Sequence, residues 1–185
     1  MNLILFGAPG AGKGTQAENL WKRFGIPHIA TGDILRKAIE EGTALGKEVA
    51  PYLEAGKLAP DVLVSDLVLD RLKAEDCRGG FVLDGYPRTL PQMDVLEEAL
   101  REKGKKIDKV ISLDVSQEVL LQRTMGRGRA DDNLETVKRR LIDYKNLTEQ
   151  AKKGYASRGL LVVIDGLGTT EEVFERILAS LPQNS

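Results

Sequence analysis

The chain has very little of two residue types that often carry chemistry, since its 185 residues include one cysteine and one histidine. Cys77 cannot form a disulfide within the chain because it has no partner. Cys77 and His28 together cannot supply the four ligands of an ordinary structural zinc site. We therefore predict no structural zinc, and we interpret both residues as packing residues.

The chain also lacks an excess of charge of one sign and any long apolar run. Its 27 lysines and arginines nearly balance its 28 aspartates and glutamates, so no global charge attracts nucleic acid or an anionic membrane. No stretch approaches the roughly 20 apolar residues that cross a bilayer, and the run from Met1 to Phe6 is too short for a signal peptide. We expect no nucleic-acid partner, no membrane partner and a cytoplasmic protein.

Five short apolar or β-branched runs alternate with helical patterns, which predicts an α/β fold. Several runs are continuously apolar, as in strands buried on both faces of a parallel sheet. The predicted strands cover residues 2–6, 28–30, 81–83, 110–115 and 160–164. The predicted helices cover residues 13–24, 33–54 with a break near Gly42, 60–73, 89–103, 117–125, 133–156 and 170–181. We expect one domain over residues 1–185, with a doubly wound five-stranded parallel sheet whose ligands lie beyond the carboxyl ends of the strands.

Two helix starts have the residue spacing of a capping box, Asp132 with Glu135 and Thr169 with Glu172.

Two stretches of the sequence look less like part of a hydrophobic core than the rest of the chain does. They are a helical segment at about residues 30–59 and a polar loop at residues 126–133, which we predict to be the moving parts.

The segment from Gly7 to Thr15 reads GAPGAGKGT and is a variant of the P-loop pattern, because Gly14 rather than serine or threonine follows Lys13. A predicted strand precedes it and a predicted helix follows it, so backbone amides and the helix amino terminus can surround phosphate oxygens. Lys13 would bridge phosphates, and Thr15 would help to hold magnesium. The alternative is a glycine-rich turn that only links strand to helix. The agreement of motif, strand and helix favours the phosphate site.

A second polar cluster follows the third predicted strand, at Asp84 to Arg88, with Gln92 one turn into the next helix. An acid at a strand end can hold magnesium through water, and Arg88 can neutralise the charge of a phosphoryl group in transfer. The alternative for this segment alone is a strand-ending turn with solvated charges.

Five arginines crowd one later segment, interrupted by Gly126 and Gly128. They are Arg123, Arg127, Arg129, Arg139 and Arg140. Several guanidiniums can spread over the charge of two polyanions and exclude water from them. The alternative is a solvated helical face with balanced charge pairs. The glycines on either side of Arg127 are the predicted hinge points.

Four motifs occur in order along the chain: GAPGAGKGT, TGDILR at Thr31 to Arg36, DGYPRTLPQ at Asp84 to Gln92, and GRGRADDN at Gly126 to Asn133. In these motifs the sequence resembles the adenylate kinase family over essentially its whole length. The resemblance implies reversible phosphoryl transfer from magnesium ATP to AMP, giving two ADP. It also implies a nucleoside-monophosphate-binding insert at residues 30–59, a short lid at residues 126–136 without the zinc cysteines of some members, and a monomer.

The resemblance further implies the roles of individual residues. The ATP site would comprise Gly10, Ala11, Gly12, Lys13, Gly14, Thr15, Arg127 and Gly168. The AMP site would comprise Thr31, Arg36, Lys57, Leu58, Ala59, Gly85, Tyr86, Pro87, Arg88, Gln92, Arg129 and Arg140. The catalytic residues would be Lys13, Arg88, Arg123, Arg129 and Arg140, with Thr15 and Asp84 at the magnesium ion. Arg139 receives no role.

Three alternatives to an AMP kinase stay open. Pyrimidine monophosphate kinases commonly have alanine where this chain has Thr31, so threonine favours AMP over UMP or CMP. A nucleotide switch of the GTPase kind has DxxG patterns, which occur at Asp76 to Gly79 and at Asp165 to Gly168, but the chain has no NKxD motif. A kinase for another metabolite is disfavoured by the paired motifs at Thr31 to Arg36 and Asp84 to Gln92.

Overall fold

A computed structural model of the chain describes residues 1–126, 128 and 133–182. Within those residues, five parallel strands form one sheet in the order β2-β3-β1-β4-β5. The strands are β1 (Asn2–Phe6), β2 (His28–Ala30), β3 (Phe81–Asp84), β4 (Lys109–Asp114) and β5 (Leu161–Asp165). Each predicted strand agrees with the observed one to within one residue at either end. The α/β class and the five-stranded parallel sheet are therefore confirmed.

Helices connect the strands and cover both faces of the sheet. They are α1 (Lys13–Phe24), α2 (Thr31–Glu40), α3 (Ala44–Glu54), α4 (Asp61–Arg71), α5 (Leu90–Glu102), α6 (Gln117–Gly126), α7 (Leu134–Asp143), α8 (Glu149–Ser157) and α9 (Thr170–Ser180). The predicted break near Gly42 separates α2 from α3, and α2 begins at Thr31, two residues before the predicted start. In the described part of the chain, no helix is both long and apolar enough to cross a bilayer.

Alternate residues of the central strand pack on opposite faces of the sheet, as the period of two in a strand requires. Leu3 and Leu5 lie in one core with residues of α1 and α9. Ile4 and Phe6 lie in the other core with residues of α4, α5 and α8. All five residues of β1 are buried, which explains why Leu3 to Phe6 read as a continuous apolar run.

The strand order places a crevice beside β1. The chain fills one side of β1 with β2 and β3 and then crosses to the other side for β4 and β5. Connections that leave a parallel sheet in opposite directions open a crevice at the carboxyl ends of the strands. The register pairs Leu5 of β1 with Asp84 of β3, so the loop after β1 and the carboxylate of Asp84 lie at the same edge of the sheet.

The two predicted capping boxes had different outcomes. At the start of α9, Thr169 Oγ1 accepts from the Glu172 amide at 3.2 Å, and Glu172 Oε2 accepts from the Thr169 amide at 2.8 Å, so this box is confirmed. The predicted cap at Asp132 is wrong: Asn133 has the extended backbone of a cap, and its Oδ1 accepts from the Thr136 amide at 2.9 Å. Asparagine caps helices as well as aspartate does, and Asp132 itself lies outside the described residues.

The helix predicted over residues 133–156 is interrupted. A π-helical segment at Tyr144–Thr148 separates α7 from α8. Tyr144 and Thr148 of this segment lie on the wall of the cavity described below, and π turns within helices are frequent at functional sites. Local hydrophobic spacing did not predict this interruption.

We expect Leu96→Ala in α5 to lower the free energy of unfolding by about 2–5 kcal/mol, because it removes buried methyl groups and leaves a cavity. The leucine is 0% exposed and packs in the core that contains Ile4 and Phe6. The melting temperature should fall by about 2–4 °C for each kcal/mol. Val95→Ala is the matched control, since Val95 is 41% exposed on the same helix. Equal effects of the two substitutions in urea unfolding would contradict the burial of this face.

Candidate functional site

A cavity of about 620 Å³ opens at the carboxyl ends of the strands, and its size is that of a small-molecule site. Its walls come from the loop after β1, the start of α2, the segment before α4, the segment after β3, α7 and the loop after β5. Most of the predicted site residues line it: Gly10, Ala11, Gly12, Lys13, Gly14, Thr15, Thr31, Arg36, Lys57, Leu58, Ala59, Asp84, Gly85, Pro87, Arg88, Gln92, Arg123, Arg140 and Gly168. The fold thus brings together residues from distant parts of the sequence.

Three predicted site residues are not found at the cavity wall. Tyr86 is 1% exposed in the core, with its hydroxyl 3.0 Å from Ser65 Oγ and 3.1 Å from the Gln92 carbonyl. The structure therefore places Tyr86 behind the wall, where it supports α4 and α5. Arg127 and Arg129 lie outside the described residues, as does part of the predicted lid at residues 126–136.

The loop after β1 has the compact form that a phosphate cradle requires. Gly10 has a φ of +87°, and a Cβ at this position would lie 2.5 Å from Thr124 Oγ1, so a side chain does not fit. Lys13 begins α1, and its Nζ donates to the carbonyl oxygens of Gly7 at 2.9 Å and Ala8 at 3.3 Å. The Lys13 ammonium therefore lies against the loop, beside the amides at the start of α1, which together favour an anion.

Asp84 ends β3 and brings a carboxylate to the cavity. Its Oδ1 lies 3.9 Å from Lys13 Nζ, and its Oδ2 lies 3.5 Å from His28 Nε2. Burial by itself would raise the pKa of Asp84, but the charge of Lys13, the contact with His28 and the charge of Arg88 outweigh burial and lower the pKa. Asp84 is therefore ionised at neutral pH.

The donor set fits a magnesium ion that is bound together with phosphates. Thr15 and the ionised Asp84 supply oxygen atoms at the same cavity, and oxygen is the ligand that magnesium prefers. Over residues 1–126, 128 and 133–182, no group of three or more histidine, cysteine or acidic residues could hold a metal ion. Magnesium commonly takes only one or two carboxylates from the protein and the rest of its ligands from phosphates and water.

The turn after β3 is folded tightly against the start of α2. Gly85 has a φ of +84°, and a Cβ there would lie 3.0 Å from Thr31 Oγ1 and 3.2 Å from Arg88 Nη2. Thr31 Oγ1 donates to the Asp84 carbonyl at 2.8 Å, and Arg88 Nε donates to the Gly85 carbonyl at 2.9 Å. These hydrogen bonds fix the direction of the Arg88 side chain along the cavity wall.

Three guanidiniums, those of Arg36, Arg88 and Arg140, lie near each other at the end of the cavity beside the turn after β3. Burial lowers the pKa of the Arg88 guanidinium; Asp84 opposes that shift, and the charges of Arg140 and Arg36 add to it. An arginine nevertheless stays protonated at neutral pH, since its usual pKa is above about 12. The arrangement of three guanidiniums close together therefore favours binding of a polyanion, which relieves their mutual repulsion.

The other end of the cavity is formed by the loop between β5 and α9. Arg123 Nη1 donates to the Gly166 carbonyl at 3.3 Å. Gln16 of α1 donates from Nε2 to the Thr170 carbonyl at 3.0 Å, and Arg176 Nη1 donates to the carbonyls of Asp165 at 2.9 Å and Leu167 at 2.5 Å. The sequence prediction missed Gln16 and Arg176, since both act by holding this loop in place.

The contact between His28 and Asp84 is another feature that the sequence did not predict. We interpreted His28 as a packing residue, whereas it lies 3.5 Å from the carboxylate at the end of the neighbouring strand. The contact depends on the pairing of β2 with β3, in which Ala30 is opposite Asp84. No local signal in the sequence gives that register.

The comparison with known families decides the assignment, since the family model described as "Adenylate kinase" matches residues 5–160. The chain belongs to the adenylate kinase family. An adenylate kinase of Leptospira biflexa serovar Patoc is 47% identical over 183 residues, which cover 97% of this chain and 98% of the relative. An adenylate kinase of Mycobacterium bovis is 48% identical over 181 residues, covering 98% and 99%, and one of Methanosarcina barkeri is 44% identical over 211 residues, covering 98% of each.

Membership of the adenylate kinase family confirms the resemblance that the four motifs carried. It agrees with the cavity, in which the adenylate kinase motifs at Gly7 to Thr15, Thr31 to Arg36 and Asp84 to Gln92 meet. The roles of individual residues stay predictions.

We expect Asp84→Asn to lower the free energy of unfolding near neutral pH by about 1–3 kcal/mol, through loss of the buried charged contacts. The folded-state pKa of Asp84 lies below its ordinary value of 3.8, so the ionised carboxylate stabilises the fold above that pH. This contribution is lost as the pH falls through the folded-state pKa. The difference between wild type and Asp84→Asn should therefore shrink in acid.

Urea unfolding at a series of pH values from 7 to about 3 measures this difference. Asp94→Asn is the matched control, because Asp94 is an exposed carboxylate on α5. A difference between wild type and Asp84→Asn that stays constant over the whole pH range would contradict the charged role of Asp84.

Proposed function

We propose that the chain catalyses the reversible transfer of the terminal phosphoryl group of ATP to AMP, giving two ADP. The observation that carries this proposal is one continuous cavity with groups suited to an anion at both ends. The loop after β1 forms one end, the guanidiniums of Arg36 and Arg88 form the other, and Lys13 and Asp84 lie between them. Membership of the adenylate kinase family supports the same reaction.

The donor nucleotide would occupy the end formed by the loop after β1. Its phosphates would accept hydrogen bonds from the amides of residues 10–15 and from Lys13. Its base would lie toward Arg123 and Gly168, which line that end of the cavity. Thr15 and Asp84 would hold magnesium, largely through water, and magnesium bound with ATP would neutralise charge on the phosphate oxygens.

The acceptor nucleotide would occupy the end formed by α2, the segment before α4 and the turn after β3. Arg36 and Arg88 would bind its phosphate. Thr31, Gln92 and the backbone of residues 57–59, with Gly85 and Pro87, would line the pocket of its nucleoside. Tyr86 would act from behind this wall through its contacts with Ser65 and Gln92.

The reaction needs alignment and charge stabilisation more than proton transfer. The attacking oxygen belongs to the AMP phosphate and is already anionic, so no general base is required. Lys13, Arg88, Arg123 and Arg140 line the cavity and would stabilise negative charge as it moves from donor to acceptor. We further propose that Arg127 and Arg129, in the short lid at residues 126–136, close over the phosphates and exclude water.

The alternatives that the sequence left open gain no support from the structure. The DxxG pattern at Asp76 to Gly79 precedes β3, so it lies at the amino-end edge of the sheet, opposite the cavity. This pattern therefore cannot act as a switch segment there. The pattern at Asp165 to Gly168 does reach the cavity wall through Gly166 and Gly168, but the sequence has no guanine-reading NKxD motif to accompany it. Nothing at the cavity favours a pyrimidine acceptor or a metabolite other than a nucleotide.

We also propose that a single chain is the working unit, with ATP, AMP and ADP as its partners. The resemblance to the adenylate kinase family, which implies a monomer, supports this proposal. The cytoplasmic location stays a prediction.

A coupled assay tests the proposed reaction. Purified protein with magnesium ATP is given AMP, UMP, CMP or GMP in turn, and ADP production is compared with a reaction that has no acceptor. We expect fast ADP production with AMP alone. A preference for UMP or CMP would overturn the acceptor assignment, and ATP hydrolysis that does not depend on an acceptor would overturn the kinase reaction itself.

We expect Arg88→Ala to lower kcat by about 10²–10³-fold, because Arg88 stabilises the phosphoryl group in transfer. The free energy of unfolding should change much less, by about 1 kcal/mol, since the substitution also relieves repulsion from Arg36 and Arg140. Arg78→Ala is the control, because Arg78 is 79% exposed in a surface pair with Glu75. Steady-state kinetics and thermal unfolding measure the two effects, and near-normal turnover of Arg88→Ala would refute the assignment.

A further inference from the structure

The side-chain amide of Gln92 is held from two sides at the wall of the acceptor pocket. Gln92 is the third residue of α5, is 2% exposed and lines the cavity. Its Nε2 donates to Asp61 Oδ1 at 2.8 Å. Its Oε1 accepts from the backbone amide of Arg88 at 2.7 Å.

These two neighbours allow only one orientation of the amide. A carboxylate only accepts hydrogen bonds, and a backbone N–H only donates. Rotating the Gln92 amide by half a turn would direct Oε1 at the carboxylate of Asp61 and Nε2 at the N–H of Arg88. Both hydrogen bonds would be lost and replaced by repulsive contacts in a buried place.

Asp61 is itself fixed at the point where two helices begin. It is the first residue of α4, and its Oδ2 accepts from the hydroxyl of Thr89 at 2.7 Å. Thr89 is the N-cap of α5, and its Oγ1 accepts from the backbone amide of Gln92 at 3.3 Å. Helix amino termini favour a negative charge. Asp61 is not among the residues that line the cavity, so any effect on a ligand passes through Gln92.

The fixed amide has one hydrogen on Nε2 and one lone pair on Oε1 without a partner among the described residues. A neutral amide does not neutralise a phosphate, which Arg36 and Arg88 can do, so it suits the base of the acceptor. The free hydrogen on Nε2 and the free lone pair on Oε1 of Gln92 lie side by side. Adenine presents the complementary pair, an amino group next to a ring nitrogen that accepts. The six-oxo purine hypoxanthine presents the reverse pair, an accepting oxygen next to a ring N–H.

We propose that Asp61 is a positioning residue that sets the base selectivity of the acceptor pocket. By fixing the amide of Gln92 in one orientation, it favours adenine and disfavours a six-oxo purine. This inference rests on the proposed function, since it takes AMP as the acceptor.

The test is Asp61→Asn, which keeps the shape of the side chain but can donate as well as accept hydrogen bonds. The amide of the variant can face Gln92 with its oxygen or its nitrogen, so one of the two constraints on Gln92 is relaxed while the Arg88 amide remains. The probes are AMP and IMP, because IMP has hypoxanthine in place of adenine and lacks the additional amino group of GMP. The kcat/KM of each acceptor is measured at saturating ATP, and calorimetric titration gives the ratio of dissociation constants where turnover of IMP is slow.

We expect the preference for AMP over IMP to fall about tenfold or more in Asp61→Asn, as for loss of a hydrogen bond to a charged group. The change should come from the KM of the acceptor, with the KM of ATP unchanged. Asp66→Asn is the matched control, since Asp66 is exposed on the same helix, and it should keep the wild-type preference. The ratio does not depend on the fraction of folded enzyme, so partial unfolding of a variant leaves the test valid.

A second pair of variants addresses the hydroxyl that holds Asp61. Thr89→Ser keeps that hydroxyl and should keep the preference for AMP, whereas Thr89→Val removes it and should reduce the preference. An unchanged ratio in both Asp61→Asn and Thr89→Val, with normal AMP turnover in wild type, overturns the role of Asp61. Wild-type enzyme that uses AMP and IMP equally well also overturns it. Wild-type enzyme that does not use AMP at all overturns the proposed function instead.

Discussion

The partly buried carboxylate of Asp84 is the charge on which the arrangement of the cavity depends. Taking a carboxylate out of water is unfavourable, and Lys13 at 3.9 Å offsets that cost together with His28 and Arg88. Lys13 and Arg88 can in turn lie at the same cavity wall because this anion is near both of them. Phosphates are the additional anions that such a site favours. The charges that stabilise the end of β3 are therefore the same charges that would bind substrate.

The acceptor end of the cavity is preorganised by hydrogen bonds between the beginnings of three helices. Thr31 at the start of α2 donates to the carbonyl of Asp84, and the Arg88 amide donates to Gln92 at the start of α5. Gln92 then donates to Asp61 at the start of α4. These hydrogen bonds hold Thr31, the Arg88 amide and Gln92 in place before a nucleotide binds, so less binding energy is lost to ordering these groups.

The fold could be predicted from the sequence wherever the signal is local. Continuous apolar runs gave the strands to within one residue, and the capping box at Thr169 gave the start of α9. Where two neighbouring residues could both cap a helix, the prediction was wrong: we expected Asp132 at the start of α7, and Asn133 is the cap. The π-helical segment at Tyr144–Thr148 was also missed, because hydrophobic spacing predicts a helix without distinguishing a single π turn within it.

The sequence by itself determined the class of the fold and the family, and it predicted the phosphate cradle, because glycines, Lys13 and the strand and helix that flank them form a contiguous segment. Only the tertiary structure decided which side chains support that chemistry from a distance. His28 meets Asp84 through the register of two strands, and Asp61 meets Gln92 through the packing of two helices. Register and helix packing are set by the whole core, so no local pattern in the sequence encodes either contact.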